Sequence, residues 1–249
     1  MADKQENTVT KLNSEMFFVA LWQQLTVTEM NWLQSALSQL EIQKGDREIL
    51  LSAYLSCSAM AKRKLGMASL NDIPSNARWR VDEAARLILL KKLLKCCKPD
   101  EQSQQIKAAF KFGDECEQIA IIKGLDLIDE QGLVSDLAIA TGRTNSLNLF
   151  AAIALNNNYP AQHYEQSAYQ QLVLKALFMD LDIARMIGLK QHHCHELSAR
   201  AIDLVKERLA AYRQLPGSIW LAIDVTHLSP TERGIYLEFN DSNASQPQR

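Results

Sequence analysis

The pattern of apolar and polar positions is helical along nearly the whole chain. Glycine and proline are scarce, at 9 and 6 residues, and they fall where the helical pattern breaks. Such a pattern predicts an all-α fold. The predicted helices run from Ser14 to about Leu25, Thr28 to about Gln43, Asp46 to near Gly66, Val81 to Cys97, and over 100–112, 114–124, 132–141, 145–155, 165–179 and 193–213.

Short helices joined by single glycines or by Asp and Asn residues are typical of stacked antiparallel helix pairs. We therefore expect one all-helical domain over residues 14–222, built as a HEAT-like α-solenoid or a helical array. The irregular connection 66–79 is a candidate boundary within it. Residues 1–13 are expected to be flexible and the polar tail 223–249 partly disordered, with GIYLEF at 234–239 as a candidate strand or docking segment.

Charge and cysteine usage indicate a cytoplasmic protein. The 27 basic and 29 acidic residues nearly cancel, which gives no global electrostatic reason to expect nucleic acid. The N-terminus lacks the apolar segment of a secretory signal, and no apolar run reaches the roughly 18 to 20 residues of a membrane helix. Five irregularly spaced cysteines do not suggest an exported disulfide scaffold.

The stretch 78–98 is the most basic in the chain and is interleaved with leucines. A basic amphipathic helix could contact an anionic membrane surface or a partner helix, which would place the protein at the inner face of the membrane. The alternative is that its lysines complement the helix dipole and solubilise an outer face. The basic residues are Arg78, Arg80, Arg86, Lys91, Lys92, Lys95 and Lys98.

The sequence HHCHE at 192–196 is a weak candidate metal site. If it opens the last helix, His192, His195 and Glu196 share one helix face and could bind zinc. No second ligand cluster with recognisable spacing accompanies them, so a solvated helix start is the preferred interpretation. We predict neither a metal nor another cofactor.

Lys175 is the most informative single residue, because it lies in the strongly apolar segment QQLVLKALFMDL. An ammonium group in such a helix must reach solvent or bond a partner. Burial would also lower its pKa, as in reactive amines, yet nothing else completes a lyase-like site. We expect structural ion pairing, with covalent chemistry as the alternative. The chain has no P-loop, Rossmann fingerprint, nucleophile elbow or HExxH motif.

The stretch RTNSLNLFAAIALNNNYP at 143–160 places polar residues on both sides of an apolar helix. Thr144 or Asn145 is predicted to cap this helix, while Arg143 can bond the last carbonyls of the preceding one. The asparagines tolerate left-handed backbone geometry, and Pro160 biases Tyr159 away from the α region. All of these roles are compatible with a purely structural junction.

Several short sequence motifs together resemble the EboA family. They are RTN, FAAIAL and YP within 143–160, LKALF at 174–178, and the stretches LLSAYLSCSAMAKRKLG, WRVDEAARLILL and LSARAIDLVKERLAAYR. The resemblance spans roughly residues 15 to 222. It carries over a set of positions for a ligand or interaction surface: Asp82, Arg86, Arg143, Thr144, Asn145, Phe150, Tyr159, Pro160, Gln171 and Lys175.

The chain also departs from the family pattern. Ala151 stands where a glutamate is common, Asn158 where a proline is frequent, and Gln162 where an arginine is frequent. The missing acid weakens any acid–base role for this region. The HHCH stretch is not part of the pattern either, which lowers the metal interpretation further.

The resemblance implies a non-enzymatic accessory protein that helps move a small secondary-metabolite precursor from cytoplasm to periplasm. Its implied partners are the UbiA-like prenyltransferase and TatD-like hydrolase encoded in the same bacterial clusters. On this hypothesis Arg143, Tyr159 and Lys175 meet in a pocket that receives the metabolite. One alternative is a pure interaction scaffold for those enzymes, and another is an enzyme that uses Lys175 on a carbonyl substrate.

Overall fold

A computed structural model describes residues 14–71 and 78–244, with side chains over 17–71 and 78–238. Within these residues the regular structure is helical, with one isolated bridge between Ser69 and Arg80, so the all-α prediction is confirmed. The HEAT-like arrangement stays a prediction, and residues 1–13 lie outside the described part. The chain divides into two compact units, 1–137 and 138–249, and the proposed boundary at the connection 66–79 stays a prediction.

Unit 1 is built around a buried helix. Helix α4 (Val81–Cys96) buries eleven of its residues and packs against the first, second, third and sixth helices, while Lys91, Lys92 and Lys95 keep partly or fully exposed side chains. The helices are α1 (Ser14–Gln24), α2 (Val27–Ile42), α3 (Arg47–Leu65), α4 (Val81–Cys96), α5 (Gln102–Phe112), α6 (Glu115–Lys123) and α7 (Leu125–Ile128). The division between the units falls within α8 (Ser135–Thr141).

The starts of these helices follow their capping chemistry. Asp46 caps α3 as expected, accepting a 3.0 Å bond from the Glu48 amide. The cap of α2 is Thr26, two residues before the predicted Thr28, because Thr26 forms a reciprocal capping box with Glu29. The ends of the connection 66–79 are held together, since the Leu70 and Val81 amides bond the carbonyls of Trp79 and Ala68.

Unit 2 contains helices of 5 to 16 residues, and several 3₁₀ turns lie within 183–227. Its helices are α9 (Leu147–Ala154), α10 (Tyr159–His163), α11 (Gln166–Phe178), α12 (His195–Ala210) and α13 (Pro230–Ala244). Helix α11 packs against α9 and α12, and α12 packs in turn against α13. Helix α13 occupies most of the tail in which we expected partial disorder, and it includes the segment 234–239 in place of a strand.

The sequence predicts no helix that spans a membrane. Among the residues that the structure describes, no helix combines the length and apolar character needed to cross a bilayer.

Candidate functional site

Lys175 bonds the turn that follows α8. Its ammonium group donates to the carbonyl oxygens of Gly142 at 3.1 Å and Thr144 at 2.5 Å, and it lies 4.9 Å from the centre of the Phe150 ring. Burial lowers the pKa of Lys175. The expected partner therefore exists, but it is a pair of backbone carbonyls and not a carboxylate.

The Arg-Thr-Asn junction differs from its predicted geometry. The cap of α9 is Ser146, whose hydroxyl accepts a 3.2 Å bond from the Leu149 amide, so the assignment to Thr144 or Asn145 is wrong. The Thr144 hydroxyl instead accepts from the Ser146 amide at 3.2 Å. The side chains of Arg143 and Asn145 are exposed.

The three asparagines connect the end of α9 to Tyr159, the first residue of α10. Asn156 adopts the left-handed conformation, with φ of 53°, as its residue type suggested. Asn157 bonds the Ala152 carbonyl and accepts from the Tyr159 amide. Tyr159 begins α10 and is fully buried, with its ring 4.5 Å from that of His163. The proposed pocket of Arg143, Tyr159 and Lys175 therefore does not form, since Tyr159 belongs to the core.

Lys175 does line a shallow surface groove between α11 and α12, which we call the α11–α12 groove. Gln171 is exposed one turn earlier on the same helix, and Phe178 is 64 % exposed one turn later. The groove has a volume of about 490 Å³ and combines both signs of charge. Its lining residues are Leu174, Lys175, Phe178, Arg200, Asp203, Leu204 and Glu207. Shallow surfaces of this mixed character resemble protein interfaces more than enclosed ligand sites.

Asp82 and Arg86 form a buried ion pair within unit 1. Asp82 has no exposed surface, and the exposure of Arg86 is 2 %. The Arg86 guanidinium bonds both the Asp82 carboxylate and the carbonyl of Ser58, while Arg80 approaches the same carboxylate at 3.0 Å. The hydrogen-bonding groups of these side chains satisfy one another. The presence of Asp82 and Arg86 in the family-like motif therefore has a structural explanation.

A second groove lies in unit 1, between α1, α2 and α4, and we call it the lysine-rimmed groove. Its volume is about 480 Å³, and it is more enclosed than the α11–α12 groove. Its walls are apolar and its rim is basic. The lining residues are Phe18, Val19, Leu37, Ile88, Lys91, Lys92 and Lys95. Sequence reasoning identified these lysines as a basic surface, but the groove depends on helices that are distant in sequence.

The histidine stretch does not bring the weak candidate ligands together on one helix face. Helix α12 begins at His195, so His192 lies before it and the three residues do not share one helical face. His192 instead stacks on Tyr169, with ring centres 3.9 Å apart, and Cys194 is the residue that caps α12. Within the described residues no group of three His, Cys, Asp or Glu side chains could hold a metal ion.

The two units thus define an all-α protein whose candidate sites are surface grooves. A family model described as metabolite traffic protein EboA matches residues 13–224. The chain therefore belongs to the EboA family, as the sequence motifs at 143–160 and 174–178 indicated. Comparison with curated proteins and with solved structures gives no match.

Proposed function

We propose that this protein is a non-enzymatic accessory protein that binds a small apolar metabolite in the lysine-rimmed groove. It would present this molecule to the enzymes that make or consume it, during transfer from cytoplasm to periplasm. The family description as a metabolite traffic protein supports such a role. The observation that carries the proposal is the groove itself.

The size and lining of the groove suit a small ligand. A volume of about 480 Å³ falls within the range of small-molecule sites. Phe18, Val19, Leu37 and Ile88 supply apolar contacts, and the Phe18 ring is further supported by stacking on Trp22 at 4.9 Å. All of the lining residues come from three packed helices, so the site is preformed and costs little ordering on binding.

Native mass spectrometry of the protein purified from its own host would test the proposal. A retained small-molecule mass is expected for the unaltered chain and should be lost in Val19→Trp, which fills the groove from a half-exposed position on α1. Val27→Trp is the matched control, since Val27 is 68 % exposed and lies outside the residues that line the groove. Equal retention by both variants would contradict the assignment of the site.

The α11–α12 groove favours a second candidate function, an interaction scaffold for the prenyltransferase and hydrolase. Phe178 supplies a large exposed apolar side chain, and Arg200, Asp203 and Glu207 surround it with both signs of charge. Aromatic anchors within polar rims are typical of protein interfaces. On this hypothesis, co-purification with a partner enzyme persists in Lys175→Ala while small-molecule binding remains undetected.

An enzymatic role for Lys175 receives less support from its surroundings. A nucleophilic amine must first lose a proton, whereas the two carbonyl oxygens that accept bonds from the Lys175 nitrogen favour its protonated ammonium form. Borohydride reduction in the presence of small aldehydes and ketones should leave no adduct on Lys175. A peptide carrying a reduced adduct at that position, absent from Lys175→Arg, would restore the enzymatic hypothesis.

A further inference from the structure

The basic end of the lysine-rimmed groove is not neutralised by the groove's own residues. Lys91, Lys92 and Lys95 lie at i, i+1 and i+4 of α4, and all three line the same cavity. Burial lowers the pKa of Lys91, and the nearby Lys95 charge lowers it further. Three lysines that line one apolar groove favour the binding of an anion beside them.

Glu41 shows how a carboxylate binds at this end. Its carboxylate bonds the Lys92 ammonium, and Lys44 approaches the same group at 3.9 Å. The Glu41 side chain is 50 % exposed, so it can turn into solvent at little cost. Of the other two lysines, Lys91 donates to the Leu127 carbonyl at 3.4 Å and feels the more distant charge of Glu130, while Lys95 is exposed.

We propose that the groove binds a single amphiphile with an anionic head, a carboxylate or a phosphate, and that this head replaces Glu41 on Lys92. The apolar tail lies along Phe18, Val19, Leu37 and Ile88, while Lys91 and Lys95 complete the head site. This inference rests on the proposed function and specifies the class of ligand. It also assigns Glu41 as an internal competitor of the ligand.

The position of the site on α4 supports this orientation. Lys92 and Lys95 lie in the last two turns of α4, whose carbonyl end attracts cations and so helps to keep the lysines at this end of the groove. Ile88 lies one turn before Lys91 and Lys92 on the same side of the helix, which joins the basic head site to the apolar wall. A neutral apolar molecule would add no negative charge beside Lys91 and Lys95, whereas Lys92 already bonds Glu41.

The test is competition with the neutral fluorescent probe N-phenyl-1-naphthylamine, using decanoate and decanol as ligands of equal chain length. Decanoate should displace the probe about tenfold more tightly than decanol, because charge-assisted hydrogen bonds contribute on that scale. Lys92→Gln and Lys95→Gln should each remove much of this preference. Lys62→Gln is the control, since Lys62 is an exposed lysine in the last turn of α3 and does not line the groove.

Glu41→Gln is the most informative variant, because it removes the competing carboxylate and leaves all three groove lysines in place. Decanoate affinity should rise severalfold in this variant, with decanol affinity unchanged. A fall in decanoate affinity would overturn the proposal, since it would mean that Glu41 positions Lys92 for binding. Circular dichroism of each variant checks that the helices are intact.

Failure of this inference can be told apart from failure of the proposed function. If decanol displaces the probe as tightly as decanoate, and Val19→Trp abolishes both, the groove binds ligands but the anionic head is wrong. If neither compound displaces the probe and no mass is retained from the host, the proposed function itself fails.

An anionic lipid in a membrane offers the same kind of head group as a free anionic amphiphile. Binding to vesicles separates these two sources of ligand. Sedimentation with phosphatidylglycerol vesicles should be the same for the unaltered chain, Lys92→Gln and Lys95→Gln. Sedimentation that requires these lysines, with no binding of monomeric decanoate, would overturn the single-molecule site in favour of membrane contact.

Discussion

Arg86 is the largest of the fully buried side chains among the described residues, and Asp82 lies beside it with no exposed surface. Removing a guanidinium from water is costly unless its donors are satisfied, and here a carboxylate and the Ser58 carbonyl satisfy them. The pair joins α4 to α3 through these bonds. The burial of both residues therefore has an explanation in folding.

Breaking this pair should be strongly destabilising. Asp82→Asn would leave the Arg86 charge buried without its counter-ion, and we expect a loss of about 3–5 kcal/mol in the free energy of unfolding. Urea denaturation followed by circular dichroism measures it. Lys95→Gln, on the exposed side of the same helix, should change the value by less than about 0.5 kcal/mol. Similar midpoints for the two variants would show that the pair contributes little.

Lys175 has a comparable structural role in unit 2. Lys175→Met keeps the apolar stem but leaves the Gly142 and Thr144 carbonyls without this donor, so we expect a loss of about 1–3 kcal/mol. Lys175→Arg should recover part of the loss, because a guanidinium can donate to the same oxygens. Thermal denaturation of the three proteins provides the comparison. Unchanged stability in Lys175→Met would indicate that water replaces the ammonium group.

At the level of helices, Gly124 sets the distance between α6 and α4. A Cβ atom at this position would lie 2.2 Å from a methyl carbon of the buried Leu87. Its φ of −96° is open to any residue, so the constraint is steric and not conformational. Gly124→Ala should therefore cost about 1–3 kcal/mol through overpacking.

The same substitution at Gly234 provides a control with the opposite sign. Gly234 lies within α13, and a Cβ atom there would meet nothing within 4 Å. Gly234→Ala should raise stability by up to about 1 kcal/mol, because alanine favours the helix. Chemical denaturation of both variants measures the difference. Equal effects at the two positions would contradict the packing argument.

Helix ends could be predicted from the sequence where one residue type settles them. Pro99 cannot continue a helix, and α4 ends at Cys96, close to the predicted Cys97. The start of α9 could not be predicted to the residue, because Thr144, Asn145 and Ser146 are all good caps and only local geometry selects Ser146. Helix α13 was missed because a glycine and many polar residues weaken its helical pattern.

The candidate site was predictable only where the chemistry is local. Lys175 could be singled out because an amine within an apolar helix needs a partner, although the sequence did not reveal that carbonyls supply it. Tyr159 looked accessible from its polar neighbours, yet packing places it in the core. The lysine-rimmed groove requires α1, α2 and α4 to meet, and such contacts between distant segments leave no mark in a local pattern.

At the scale of the whole molecule, the two compact units carry grooves of similar size and different character. The groove of unit 1 combines apolar walls with one sign of charge, whereas that of unit 2 is shallow and carries both signs. The first arrangement suits an amphiphile and the second suits a protein surface. We therefore hypothesise that ligand binding and partner docking belong to different units.

This division of roles predicts that the two functions can be lost separately. Val19→Trp should abolish decanoate binding but preserve co-purification with the proposed partner, the prenyltransferase or the hydrolase. Phe178→Ser should do the reverse, because it removes the exposed aromatic anchor of the α11–α12 groove and truncating such an anchor commonly weakens binding at least about tenfold. Pairwise pull-down with each purified enzyme, and probe displacement on the same preparations, measure the two functions.

Tyr212→Ser is the control for the docking arm, since Tyr212 is 99 % exposed in unit 2 and lies outside the residues lining the α11–α12 groove. It should leave both ligand and partner binding unchanged. Loss of partner binding in Val19→Trp, with its helical content intact, would mean that the same unit serves both functions. Partner binding that survives Phe178→Ser would instead place the docking surface elsewhere and leave Phe178 as an ordinary exposed side chain, of the kind that soluble proteins carry singly without consequence.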